Sequence, residues 1–249
     1  MILAACLGLF SCAGKNKLQK MQQNCEARIS QALERYEKGR YSSVQLALED
    51  ARTQCSGSPV MDTVLFYLGM ADVHLKNYIE ARTEFQRLVQ DFPESPFFDE
   101  AKFRIGYTVY KQSSRYDRDQ KETHEAMYLL DRFIEMYPNS AFIDSALFYR
   151  KEAYEKLALK EFKNAQFYEK INEYESAIVY YRSFMTEYAD SKLIDQARYN
   201  TIFLLKKLDR TEEAKELVTE FMEKGKDKKL KNEAKQLFSK SEAGTQPKK

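Results

Sequence analysis

Few side chains in this sequence are of types that carry reactive chemistry, and their spacing narrows what that chemistry could be. Cysteines stand at 6, 12, 25 and 55, and histidines at 74 and 124. Neither His74 nor His124 sits in an HxxxH or HExxH spacing, so neither pairs with a second ligand on one helical face. There is no Gly-rich phosphate loop and no GxSxG elbow, and the carboxylates recur at the spacing of exposed helix faces. Catalysis, a metal and a cofactor are therefore not expected. Thiol chemistry remains. Cys25 lies 14 residues before a turn at Gly39-Arg40 and Cys55 lies 15 after it, so two antiparallel helices meeting there would bring both to one end. A disulfide closing a loop of about 30 residues fits this placement, and so do two small buried thiols that simply pack.

The other thiols belong to the N-terminus. Met1 to Phe10, MILAACLGLF, is apolar but too short to span a bilayer, and it runs directly into Ser-Cys-Ala-Gly-Lys-Asn-Lys. It reads as a signal peptide over residues 1–11. LFSC at Leu9 to Cys12 resembles the lipobox of bacterial lipoproteins, in which cleavage before the cysteine frees a thiol for diacylglycerol and an amine for a further acyl chain. LAAC at Leu3 to Cys6 fits the same motif, but an apolar LGLF would follow it, so Cys12 is the expected lipidation site. No Lys or Arg precedes the apolar run, which suggests a start further upstream. An ordinary secretory signal is the alternative. With two or three acyl chains at about 0.8 kcal/mol per buried methylene, the protein would be held on a membrane surface through residues 12–23. No later stretch approaches 18 apolar residues.

The positioning elements are helical hairpins. In Asp62 to Pro93 apolar residues recur at helical spacing through Leu65, Leu68, Gly69 and Val73, a polar turn follows at Lys76-Asn77, and a second stripe runs Ala81, Phe85, Leu88 to Pro93. Small Gly69 and Ala81 stand where two helices must approach, and Pro93 lacks the N–H to continue the second. These are the offsets of a 34-residue tetratricopeptide (TPR) repeat. The slot of Ala81 recurs as Val44, Ala126, Ala177 and Ala214, at intervals of 37, 45, 51 and 37 residues. Repeat ends rhyme as FPES at Phe92, YPNS at Tyr137 and YADS at Tyr188. The surplus in the third repeat falls in the polar turn SSRYDRDQ, predicting a longer loop. That in the fourth falls between Ser140 and Asn172, free of Gly and Pro, predicting a helix longer by roughly 21 Å. The fifth repeat is loosest, with Ile202 where Ala32, Gly69, Gly106 and Ala165 stand in the others.

The fold expected is all-α: a TPR-type α-solenoid of five helix-turn-helix repeats with a C-terminal capping helix. Residues 24–140 would hold repeats one to three, residues 141–240 repeats four and five with the cap, and residues 241–249 a disordered tail. Across 249 residues, 43% apolar content can bury a core, and only eight Gly and five Pro interrupt it. Forty basic residues against 38 acidic leave almost no net charge, so nucleic acid is not an expected partner.

The order of features is more specific than any repeat. An apparent lipobox, five repeats, DRDQ at Asp117 to Gln120, YPNS at Tyr137, LALKE at Leu157 and FYEK at Phe167 before YESAI at Tyr174 together resemble the BamD family of outer-membrane assembly lipoproteins, over essentially the whole mature chain. The resemblance implies a periplasmic lipoprotein, lipid-anchored in the outer membrane, joined to a BamA-like POTRA-barrel protein and binding unfolded outer-membrane proteins. It assigns substrate contacts to the first three repeats and partner contacts to residues 142–223. TPR walls built from first helices bind peptides, which makes Phe66, Tyr67, Met70, Tyr107 and Tyr110 the candidate groove, each with core packing as the alternative. A general TPR scaffold lipoprotein for cell-envelope or cell-division machinery is the competing reading.

Overall fold

The computed structural model describes residues 9–242, with side chains for residues 20–238. Among the described residues every regular element is a helix: α1 (Leu9–Glu37), α2 (Tyr41–Gln54), α3 (Met61–Leu75), α4 (Tyr78–Asp91), α5 (Phe98–Gln112), α6 (Lys121–Met136), α7 (Ile143–Lys170), α8 (Tyr174–Glu187), α9 (Ile194–Lys207), α10 (Thr211–Lys224) and α11 (Lys228–Glu242). They pair as five hairpins of TPR type. In the last, Ile202 of α9 and Phe221 of α10 are capped by Leu230, Ala234 and Leu237 of α11. Residues 1–8 of the expected signal peptide and residues 243–249 of the expected tail lie outside the described residues, while residues 9–11 begin α1 and residues 241–242 end α11. The side chain of Cys12 also lies outside the described residues.

One backbone device makes four of the five hairpins. Gly39, Lys76, Asn172 and Asp209 have φ of 69°, 65°, 64° and 58°, and each stands five residues before its repeat's small-residue slot. At all four the next residue's N–H reaches back five residues, Asn77 N to Asp72 O at 2.8 Å and Arg210 N to Leu205 O at 2.9 Å, while the left-handed residue bonds the carbonyl three before it. This is a Schellman ending, which satisfies carbonyls the helix would otherwise orphan and reverses the chain within three residues. The turn delivers Ala81 and Ala177, both fully buried, against the preceding helix. A Cβ on Gly69 would lie 2.8 Å from the Phe85 ring, so the helix approach there depends on its absence.

The rhyming ends start the next hairpins. Ser95, Ser140 and Ser191 each accept the N–H two residues on, from Phe97, Phe142 and Leu193, at 3.2 to 3.3 Å. Ser95 Oγ then donates to Asp62 of α3 at 2.7 Å, and Ser191 Oγ to Glu155 of α7 at 2.9 Å, tying each turn to the helix that opened the repeat. Second helices are linked by Arg52–Glu84 and Arg182–Glu213, at 2.7 and 2.8 Å. Cys25 of α1 and Cys55, at the end of α2, are joined by a disulfide with a Cα–Cα distance of 5.8 Å.

The chain forms two compact bodies, one running to Ser113 and including Lys121–Arg150, the other comprising Ser114–Gln120 and Lys151 onward. The division therefore falls inside α7 rather than at residue 140. Its first turns pack Ala146 and Tyr149 into a cluster with Phe103, Leu130 and Phe133, and Arg150 pairs with Asp131 at 2.8 Å. At 28 residues α7 has the expected extension.

Candidate peptide-binding site

In the first body, aromatic side chains from successive first helices and from the residue before α5 form two groups of touching rings, one around Tyr67 and one around Tyr149. Tyr36 of α1 meets Tyr67 of α3 edge to face, with ring centroids 5.3 Å apart, and Tyr67 meets Phe97 at 5.9 Å. Tyr107 of α5 meets Tyr149 of α7 at 4.9 Å, and Tyr110 reaches the same ring at 5.4 Å. These rings are half-buried: each packs one face and leaves part in solvent. Helical spacing produces this, because residues one turn apart on the first helix of a hairpin share a face.

The two groups are mostly neutral. His74 stacks on Tyr41 with centroids 3.9 Å apart and shares a 3.1 Å hydrogen bond with the Tyr36 hydroxyl. Burial, then the Arg104 guanidinium, lowers the His74 pKa, so the ring is uncharged at neutral pH. Burial pushes Tyr36 up to about 12 and also raises Tyr107. These phenols remain protonated and can donate or accept. The cation beside these rings, Arg104, lies 5.6 Å from the Phe103 and Tyr107 rings and is bound to Glu100 at 2.7 Å. Such a surface can stack on side chains and hydrogen-bond to backbone, which is what an extended peptide offers. Among the described residues, no group of three or more metal-ligating side chains is gathered.

Of the five residues expected in the groove, Tyr67, Met70, Tyr107 and Tyr110 are half-buried on first helices. Phe66 is a correction: it is 5% exposed, stacked on Phe97 at 4.3 Å and directed at Phe85, so it belongs to the core between hairpins. Phe66 and Tyr67 differ by one residue, about 100° around the helix. Tyr36, His74, Arg104 and Tyr149 were not anticipated. The available signal was Arg104, a charge inside the aromatic stripe Phe103, Tyr107, Tyr110.

The second body carries a different surface. Tyr168 of α7 stacks on Tyr180 of α8 at 4.6 Å, with their hydroxyls 3.4 Å apart, and Phe167 adjoins Tyr168 edge to face. Phe167, Ile171 and Tyr180 are exposed by 57%, 47% and 37%. Phe167 near the end of α7, Ile171 in the turn after it and Tyr180 of α8 leave apolar surface open, of the kind associated with interfaces.

Five hairpins of this geometry, four of them closed by the same left-handed turn, define a helical repeat protein of TPR type. The family model of the YfiO outer-membrane lipoproteins matches residues 21–220, and the chain belongs to that family. No curated protein matches the chain. Among solved structures, it is similar to a tetratricopeptide repeat protein from Parabacteroides merdae, at 14% identity with a TM-score of 0.40, covering 91% of this chain and 95% of the other. A thermophilic TPR protein of Thermus thermophilus is similar at 15% identity and a TM-score of 0.38, covering 86% and 98%. Likeness at this distance carries no argument about ligand or partner.

Proposed function

We propose that this protein is a non-catalytic subunit of the outer-membrane β-barrel assembly machinery, of the BamD type, held at the periplasmic face of the outer membrane by lipid on Cys12. The observation that carries the reading is membership of the outer-membrane lipoprotein family across residues 21–220. The aromatic face of the first body suits its substrate. An unfolded barrel protein exposes backbone amides and alternating apolar side chains, for which half-buried rings with protonated hydroxyls are complementary. The exposed side chains of Phe167, Ile171 and Tyr180 lie within residues 142–223 and supply a docking surface for a BamA-like POTRA-barrel protein.

The test is a pull-down of the tagged full chain from detergent-solubilised membranes. Recovery of a POTRA-barrel protein is expected. Recovery of cell-wall or division proteins without it would instead assign the chain to the general scaffold reading. Anchoring is tested separately: Cys12→Ala should abolish incorporation of labelled fatty acid, and labelling that survives there but disappears in Cys6→Ala would move the site.

A further inference from the structure

A groove on the other side of the first body has a chemistry that the aromatic face lacks. It lies among α4, α5 and α6 and encloses about 370 Å³, within the range of small-ligand pockets and enough for one or two side chains. On α5 it is bounded by Lys102 and Ile105, each two residues from Arg104 and Tyr107 and so about 200° around the helix from them. The floor is apolar: Val89, Ile105, Leu129 and Phe133. The lip is a single stripe of α6, where Tyr128 and Met136 are exposed by 58% and 55%.

The lip is cationic. Arg132 stands one turn from each neighbour, donating to the Tyr128 hydroxyl at 3.2 Å and meeting Met136 Sδ at 3.6 Å. Lys102 faces it across the groove, its ammonium 5.5 Å from the Phe98 ring. Neither cation is in a salt bridge among the described residues, and no carboxylate lines the groove. Elsewhere on these helices arginines pair with acids, as Arg82 does with Glu125 at 2.5 Å.

From this charge complementarity we infer that the groove is a second binding site, taking a peptide segment of a protein partner in which a bulky apolar side chain is flanked by carboxylates. The side chain fills the floor at Ile105, Leu129 and Phe133, and the carboxylates pair with Lys102 and Arg132. Arg132, in contact with Tyr128 and Met136 at the lip, presents a planar fork of donors that matches a carboxylate. The inference does not depend on the barrel-assembly reading, and failure to recover a POTRA-barrel protein would leave it standing.

The probe is a fluorescein-labelled, end-blocked peptide, Asp-Asp-Leu-Phe-Asp-Asp, followed by fluorescence anisotropy on the full chain, with its Asn-for-Asp counterpart as control. Binding of the acidic peptide that weakens with salt is expected, with affinity reduced by about tenfold or more in Lys102→Ala/Arg132→Ala. Both substitutions are at solvent-accessible ends of side chains, and an unchanged thermal melt shows that the fold is intact. Three results would overturn the inference: equal binding of the Asn peptide, unchanged affinity in the double variant, or no binding of the acidic peptide. Phosphatidylglycerol vesicles binding in the peptide's place, with loss in the same variant, would assign the groove to a lipid surface and overturn it equally.

Discussion

Breaking the Cys25–Cys55 bond should loosen the first repeat selectively, and the size of the effect follows from the chain. The bond closes a loop with a sequence separation of 30, worth about 3.6 kcal/mol in the chain-entropy account of cross-links. Both sulfurs are buried, in a core with Ile29, Val44 and Leu48, so the gain is not offset by exposing apolar surface. For a body of this size each kcal/mol moves the melting temperature by about 2 to 4 °C, giving a fall of roughly 10 °C. The assay melts the oxidised protein, the protein reduced under denaturant and refolded with reductant, and Cys25→Ala/Cys55→Ala. Reduced protein and variant should melt together, well below the oxidised form, and hydrogen exchange should accelerate first in α1 and α2. Native oxidised protein should resist alkylation on the peptides bearing these two residues. The reasoning fails if oxidised and reduced proteins melt within about 2 °C of each other, or if native protein made in an oxidising compartment carries both thiols free.

Three further perturbations probe the hairpins. Lys76 is exposed with φ of 65°, a conformation costing an L-residue roughly 1 kcal/mol, so Lys76→Gly should raise stability by about that amount, and a fall in denaturation midpoint would contradict it. Gly69→Ala adds helix propensity but places a Cβ 2.8 Å from the buried Phe85 ring; overpacking of about 1 to 3 kcal/mol should win, and a more stable variant would show that the ring moves freely. Asp72 is buried, accepts from Gln45 Nε2 at 2.6 Å and has its pKa pushed up to about 6, chiefly by burial and against a hydrogen bond from Asn77. The folded state thus holds the proton more tightly than the unfolded one, and stability falls as pH rises from about 4 through about 6. Asp72→Asn should therefore melt higher at pH 7, by about 1 to 3 kcal/mol in stability, with the advantage gone near pH 4; a difference that does not change with pH would refute this.

The hairpins were legible because their determinants are local and repeat. The intervals between Val44, Ala81, Ala126, Ala177 and Ala214 locate every second helix, and the Gly, Asn or Asp that tolerates the left-handed turn stands at a fixed distance before three of them. The aromatic face was only partly legible. Tyr67 and Tyr107 could be placed on first helices, but first helices are covered on two sides by neighbouring hairpins. Periodicity identifies the apolar stripe without saying which part a neighbour buries, and Phe66 was misplaced for that reason. Tyr36 and Tyr149 join the two groups of rings from helices 31 residues before and 42 residues after Tyr67 and Tyr107 respectively, a relation that only packing establishes. The groove at Lys102 and Arg132 had no sequence signal at all, since its cations look like any others on a solvated face.

The two irregular intervals show where repeat arithmetic and packing part company. The segment between α5 and α6 leaves carbonyls with no helical partner, and such groups need donors when they are covered. Gln120, 3% exposed, donates to the carbonyls of Arg115, Arg118 and Asp119 at 2.7, 3.1 and 3.2 Å. Lys160 of α7 adds a bond to Arg118 O at 3.1 Å. Lys160 lies in α7, the helix lengthened by the extra residues of the fourth repeat that fall between Ser140 and Asn172. A loop inserted in one repeat is thus bound by a helix lengthened in the next, and this is why Ser114–Gln120 belongs with Lys151 onward rather than with its own hairpin. The 8-residue and 14-residue departures are one feature rather than two: shortening α7 alone would strip the loop of its Lys160 donor, and trimming the loop alone would leave that stretch of α7 uncovered.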